Sequence, residues 1–131
     1  MRLETENSLF PEGFTEGDLL GVLDDDRARG GFLILTADDG RFLQAAGQGW
    51  SPYTIEFFPE KNAKLYQQAT NVNKDQIRSA FIDFLHGGSA WQSSFDWRQV
   101  DETKRSGRSL FVVVGIVLVL LLGYYLLSRG V

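Results

Sequence analysis

Up to about position 100 the chain alternates short apolar stretches with polar ones, and the apolar positions recur with two different periods. Phe14 and Leu19 flank Thr15, and Asp18 follows Thr15 at three positions, the pattern of a capped helix start with a hydrophobic staple. A first helix is expected there, with Leu19, Leu20, Val22 and Leu23 as its apolar stripe, closed by the acidic run Asp24, Asp25, Asp26 and by Gly30 and Gly31. Gly21 weakens it by up to ~1 kcal/mol relative to alanine. The period then shortens to two. GFLILT at 31–36 and RFLQAA at 41–46 read as strands joined through Asp39-Gly40, which suits the backbone angles of a hairpin turn. The first of these strands is apolar on both faces, as expected of a central strand covered on both sides. YTIEFF at 53–58 alternates Tyr53, Ile55 and Phe57 with Thr54 and Glu56, which predicts one face in the core and one toward water. After the polar turn 59–62, a fourth strand is expected over 64–69, with Leu65 and Tyr66 on opposite faces.

The longer period returns at Asn73. With Gln76 three positions on and Val72 facing Ile77 across the cap, this is a second capping box with a staple. Ile77, Ala80, Phe81, Phe84 and Leu85 fall at the spacing of a buried helical stripe, and Gly87-Gly88 ends it. Phe95 and Trp97 then alternate with Asp96 and Arg98, predicting a short fifth strand that closes near Val100. The expected fold is α+β: a small antiparallel sheet, a four- to five-stranded meander, packed with one or two helices and followed by a single transmembrane helix.

That last element rests on residues 110–127, LFVVVGIVLVLLLGYYLL, which hold no charged side chain. Eighteen residues at helical rise span about 27 Å, close to the ~30 Å of a bilayer's hydrocarbon core. The expected organisation is a domain over 1–100, a basic polar tether over 101–108, a spanning helix over 109–128 and a short tail over 129–131. Lys104, Arg105 and Arg108 precede the span and only Arg129 follows it, so the positive-inside rule keeps the large domain in the cytoplasm. Tyr124 and Tyr125 sit where aromatic rings favour the membrane interface. The opening MRLETENSLFPEGF holds no apolar stretch long enough for a signal peptide, in keeping with a cytoplasmic domain.

Composition narrows the chemistry. With no cysteine and one histidine, thiol nucleophiles, thiolate zinc sites and most histidine-based catalysis are excluded, and the length excludes a large multi-domain enzyme. His86 falls at a helix end, where its default role is to complement the helix dipole. Gly47-Gln48-Gly49 lacks the remaining features of a dinucleotide loop. Asp24, Asp25 and Asp26 lack the alternating spacing and distal glutamate of a calcium loop, so they read first as a solvated helix end. No catalytic, cofactor-binding or metal-binding residue is expected. Residues 1–100 carry nine basic and fifteen acidic side chains, a formal charge of −6, which disfavours nucleic acid and suits a basic protein partner. The partner-binding candidates are Trp50 and Trp91, which fall outside the predicted elements, together with Asp24, Asp25 and Asp26.

GFLILTADDGRFLQAAG, YTIEFF and KDQIRSAFIDFLHGGSAWQSSFDWRQV together cover most of residues 30–100. In the order strand, Asp39-Gly40 turn, strand with Gln44, helix with Ala80-Phe81 and Phe84-Leu85, then Trp91 and Trp97, this stretch resembles the small α+β immunity proteins of bacterial polymorphic-toxin systems. The resemblance implies a non-enzymatic domain that binds and blocks a partner protein such as a toxin, here at the cytoplasmic face of a bacterial inner membrane. The membrane span departs from the usual soluble form of such proteins. The alternative is a single-pass structural or accessory subunit of a larger membrane complex, and a small hydrolase built around His86 is a third class.

Overall fold

The computed structural model describes residues 1–47 and 52–102. The chain divides into two units, Met1–Val100 and Asp101–Val131. Trp50 and the predicted span over 109–128 with its flanks, Lys104, Arg105, Arg108, Tyr124 and Tyr125, lie outside the described residues. Among the described residues no helix is long and apolar enough to cross a membrane.

The elements run β1 (Arg2–Thr5), α1 (Glu16–Asp24), α2 (Asp26–Arg29), β2 (Phe32–Thr36), β3 (Phe42–Ala46), β4 (Tyr53–Phe58), β5 (Leu65–Val72), α3 (Lys74–Leu85), a 3₁₀ turn (Ala90–Ser93) and β6 (Arg98–Asp101). The strands form one open antiparallel sheet in sequential order, from β1 to β6. The fold is α+β as expected, but with six strands. The additional one is β1, whose four residues are too few for a period to show and which gains its place by pairing with β2, Leu3 opposite Leu35 and Thr5 opposite Leu33. Two boundaries also move. β5 extends to Val72, and β6 begins at Arg98, because the residues before it form the 3₁₀ turn around Trp91.

Both predicted helix starts are present. Thr15 and Asp18 exchange hydrogen bonds at the head of α1, and Asn73 and Gln76 do so at the head of α3. The far end of α1 differs from the expectation. Asp25 ends α1 and caps α2 at once, its carboxylate accepting the backbone N–H groups of Arg27 and Ala28. The acidic run is therefore a junction between two helices rather than a simple solvated end.

The core lies between the sheet and α1, α3 and the 3₁₀ turn. Leu19, Val22 and Leu23 of α1 and Ile77, Ala80, Phe81 and Phe84 of α3 pack against Leu3, Leu33, Leu35, Leu43, Ala45, Ile55, Ala69 and Val72. Fully burying each of the larger side chains contributes ~1.5–3 kcal/mol as an upper estimate. Ala69 and Val72 are an odd number of positions apart, so in a regular strand they would face opposite sides of the sheet. The pairing slips between Tyr53 and Ile55, and Asn71 takes a left-handed φ of 57°. That bulge turns Val72 inward beside Ala69, where it meets α3.

Candidate functional site

α3 is fixed at both ends. At its carboxyl end Gly87, with φ 75°, donates to Phe84 C=O and Gly88 donates to Asp83 C=O, which is the Schellman arrangement. A Cβ on Gly88 would clash with Asp83 Oδ1, so only glycine lets the Asp83 carboxylate stand where it does. Asp83 Oδ2 then accepts the backbone N–H of Trp91 at 2.9 Å, and the Trp91 indole N–H donates back to Gly88 C=O at 3.0 Å. These bonds hold the 3₁₀ turn against α3. Trp91 is 3% exposed and meets Phe57, Phe84 and Trp97 edge to face.

Between α3 and the 3₁₀ turn runs an open groove of about 510 Å³. Ala80 and Trp91 form its apolar floor, and polar side chains of α3 line it, among them Asp75, Gln76, Ser79 and Asp83. Asp75, Ser79 and Asp83 stand at i, i+4 and i+8, one flank of the helix. The other flank carries Lys74 and Arg78, and both turn toward the acidic junction. Arg78 Nη1 lies 3.3 Å from Asp24 Oδ1, and Lys74 Nζ lies 3.5 Å from Asp26 Oδ1. α3 thus segregates its charge: basic groups toward α1 and α2, acidic groups toward the groove, which no Lys or Arg among the described residues lines. The signal for this was the spacing Asp75, Ser79, Asp83. It gains meaning only once the position of the 3₁₀ turn is known.

The three aspartates named from the sequence are engaged within the fold. Asp24 pairs with Arg78, Asp25 caps α2, and Asp26 accepts from Arg29 Nη2 at 2.6 Å. Burial pushes the Asp26 carboxyl up, but the hydrogen bond and charge of Arg29, followed by Lys74, outweigh it and hold the group below its ordinary value. Arg29, at 2% exposure, is the centre of this junction. Its Nη1 donates to Val22 C=O and Leu23 C=O at the last turn of α1, and its Nη2 also donates to Tyr53 Oη at 2.9 Å. His86 ends α3 and lies 2.9 Å from Glu16 Oε1, an exposed tie between α1 and α3.

The second face of the sheet departs from the expectation for β4. Glu4, Ile34, Gln44, Glu56 and Gln68 lie side by side across five strands, and Phe42, Phe58 and Tyr66 stack in a neighbouring row. Glu56, predicted to face water, is 4% exposed, and Gln44 is 1% exposed with neither amide atom hydrogen-bonded. Burial raises the Glu4 carboxyl above its ordinary value, against the opposing charge of Arg2. Asp75, Gln76 and Ser79 of the groove wall are exposed while these sheet residues are covered, so the groove is the better candidate.

Among the described residues no three His, Asp or Glu side chains converge in a way that would hold a metal ion. Comparison with known proteins finds no matching family, no similar curated protein and no similar solved structure.

Proposed function

We propose that the chain is a non-enzymatic, membrane-anchored interaction domain that binds a partner protein at the cytoplasmic face of the membrane, with the groove between α3 and the 3₁₀ turn as the seat. The observation that carries this reading is the groove itself: an apolar floor with polar and acidic walls, built from a helix locked at both ends. A preorganised surface of that kind spends little on ordering when a partner arrives. The apolar stretch over 110–127 supplies the anchor, and the basic residues before it orient the domain toward the cytoplasm. The resemblance to immunity proteins makes a toxin the first class of partner to test, with the bacterial inner membrane as the setting.

The test is co-purification from a mild detergent extract at physiological salt, with bound proteins identified by mass. Recovery of one specific protein by the intact chain, and equally by a chain whose residues 109–131 are replaced with an unrelated span, is the expected result. Recovery of no specific protein counts against the interaction domain. A partner lost on replacing the span makes the chain an accessory subunit of a membrane complex instead.

A further inference from the structure

The charge on α3 says what kind of segment the groove accepts. Asp75 and Asp83 stand two helical turns apart on the groove wall, about 12 Å along the axis. Ser79 lies between them and Trp91 forms the floor between the walls. Asp75 makes no ion pair or side-chain hydrogen bond among the described residues, and Asp83 commits one carboxylate oxygen to Trp91. The basic residues of α3 that would otherwise neutralise this wall are held on the opposite flank by Asp24 and Asp26. A nucleic acid or an acidic peptide meets only like charge here, whereas a cationic segment finds two carboxylates at a set distance.

The spacing of the two carboxylates suits an extended occupant lying along the open groove. An extended segment rises ~3.3 Å per residue and returns a side chain to the same face every second residue. Cations at i and i+4 are then ~13 Å apart, which matches Asp75 and Asp83, while the residue at i+2 faces the apolar floor.

We propose that the groove binds an extended, basic segment of a partner protein, with Lys or Arg at i and i+4 set against Asp75 and Asp83 and a small residue over Ala80 and Trp91. This rests on the interaction-domain reading and names the chemistry of its partner. A second copy of the chain is a poor occupant, because the domain is acidic overall and residues 1–100 carry a formal charge of −6.

The test uses the full chain in detergent micelles and the end-capped peptide Lys-Ser-Ala-Ser-Lys, followed through amide and indole NMR shifts. The comparison peptide, Ser-Lys-Ala-Lys-Ser, has the same composition with the cations at i and i+2. The expected result is saturable shifts at Asp75, Ser79, Asp83 and the Trp91 indole, with the comparison peptide bound about threefold or more weakly, since each exposed ion pair contributes little. Asp75→Asn should weaken binding by about the same factor, Ser79→Lys should abolish it, and Glu60→Gln, outside the groove lining, should leave it unchanged. Raising the salt concentration should weaken it further. Unchanged amide shifts away from α3 in each variant establish that the fold persists. No saturable shift, equal binding of the two peptides, indifference to Ser79→Lys, or concentration-dependent shifts of the groove without peptide would each overturn the proposal. A specific partner that co-purifies with the chain but is retained by Ser79→Lys overturns the groove chemistry and leaves the interaction-domain reading standing.

Discussion

Arg29→Met is the perturbation that most directly probes how this domain is held together. Arg29 is buried beneath the junction of α1 and α2, with its guanidinium 5.5 Å from the centre of the Tyr53 ring. It supplies donors to four acceptors from three separate places: Val22 C=O and Leu23 C=O on α1, Asp26 on α2 and Tyr53 Oη on β4. Methionine keeps much of the packing volume and removes every donor. Breaking a buried charged network by deleting one partner costs ~3–5 kcal/mol, because the groups left behind are buried without partners. Asp26 is about one third exposed and regains water, which puts the expected loss near the lower limit, about 3 kcal/mol. The unpartnered Arg29 Nε trims the value of the native arrangement in the same direction.

A loss of about 3 kcal/mol is a large part of the ~5–15 kcal/mol that holds a small domain folded. It corresponds to a fall of ~1–3 M in the urea midpoint, given slopes of ~1–3 kcal/mol/M. Urea unfolding of the detergent-solubilised chain, read by tryptophan fluorescence, measures it, since Trp91 lies in the core and reports loss of packing. Tyr53→Phe combined with Arg29→Met removes the orphaned hydroxyl, so the double variant should lose less than the sum of the single losses, with a coupling of ~1–3 kcal/mol. A cost below ~1 kcal/mol for Arg29→Met, the value for an exposed arginine, would refute the network. Strict additivity with Tyr53→Phe would separately refute the Arg29–Tyr53 contact.

Two further predictions concern the sheet. Burial raises the folded pKa of Glu4 above its unfolded value, so the group's contribution to stability is greatest below ~4.3 and falls as pH rises through the folded pKa. Glu4→Gln should therefore raise the midpoint relative to the native chain at pH 7 and lose that advantage below about pH 4; a pH-independent difference would contradict the cause assigned here. Asn71 holds the left-handed position of the bulge in β5, so Asn71→Gly should be nearly neutral while Asn71→Val costs on the order of 1–2 kcal/mol. Equal effects of the two substitutions in thermal unfolding would show that the backbone angle is not what the residue supplies.

What the sequence shows of this fold follows from how far each signal reaches. The caps at Thr15 and Asn73 and the stripe Ile77, Ala80, Phe81, Phe84 are local, since each is complete within about two helical turns, and they stand in the structure as read. β1 is four residues long and is defined by its pairing with β2 across some thirty positions of chain, which no local period reveals. Glu56 misleads for the opposite reason. Alternation with Ile55 and Phe57 assigns it to the other face correctly, but a period of two says nothing about whether that face is wet. Arg29 carries no local mark at all, because its burial depends on the Asp25 junction folding α2 back so that its side chain reaches Tyr53.

The same distinction bears on the charge that a partner would meet. The excess of acidic side chains over residues 1–100 is a property of composition, and composition alone points at Asp24, Asp25 and Asp26, the densest run. The fold spends that run internally: Asp25 on a helix cap, Asp24 on Arg78, Asp26 on Arg29 and Lys74. Two of those pairings also hold the exposed cations of α3 on the flank away from the groove. Lys74 and Arg78 are the two basic residues of α3, and once they turn toward the junction the other flank of the helix is left with Asp75 and Asp83. The aspartate run thus acts on recognition at one remove. Neutralising Asp24 and Asp26 would release the α3 cations and lower the negative potential of the groove without touching its wall. Binding of a basic segment should weaken in Asp24→Asn with Asp26→Asn even though neither residue lines the groove.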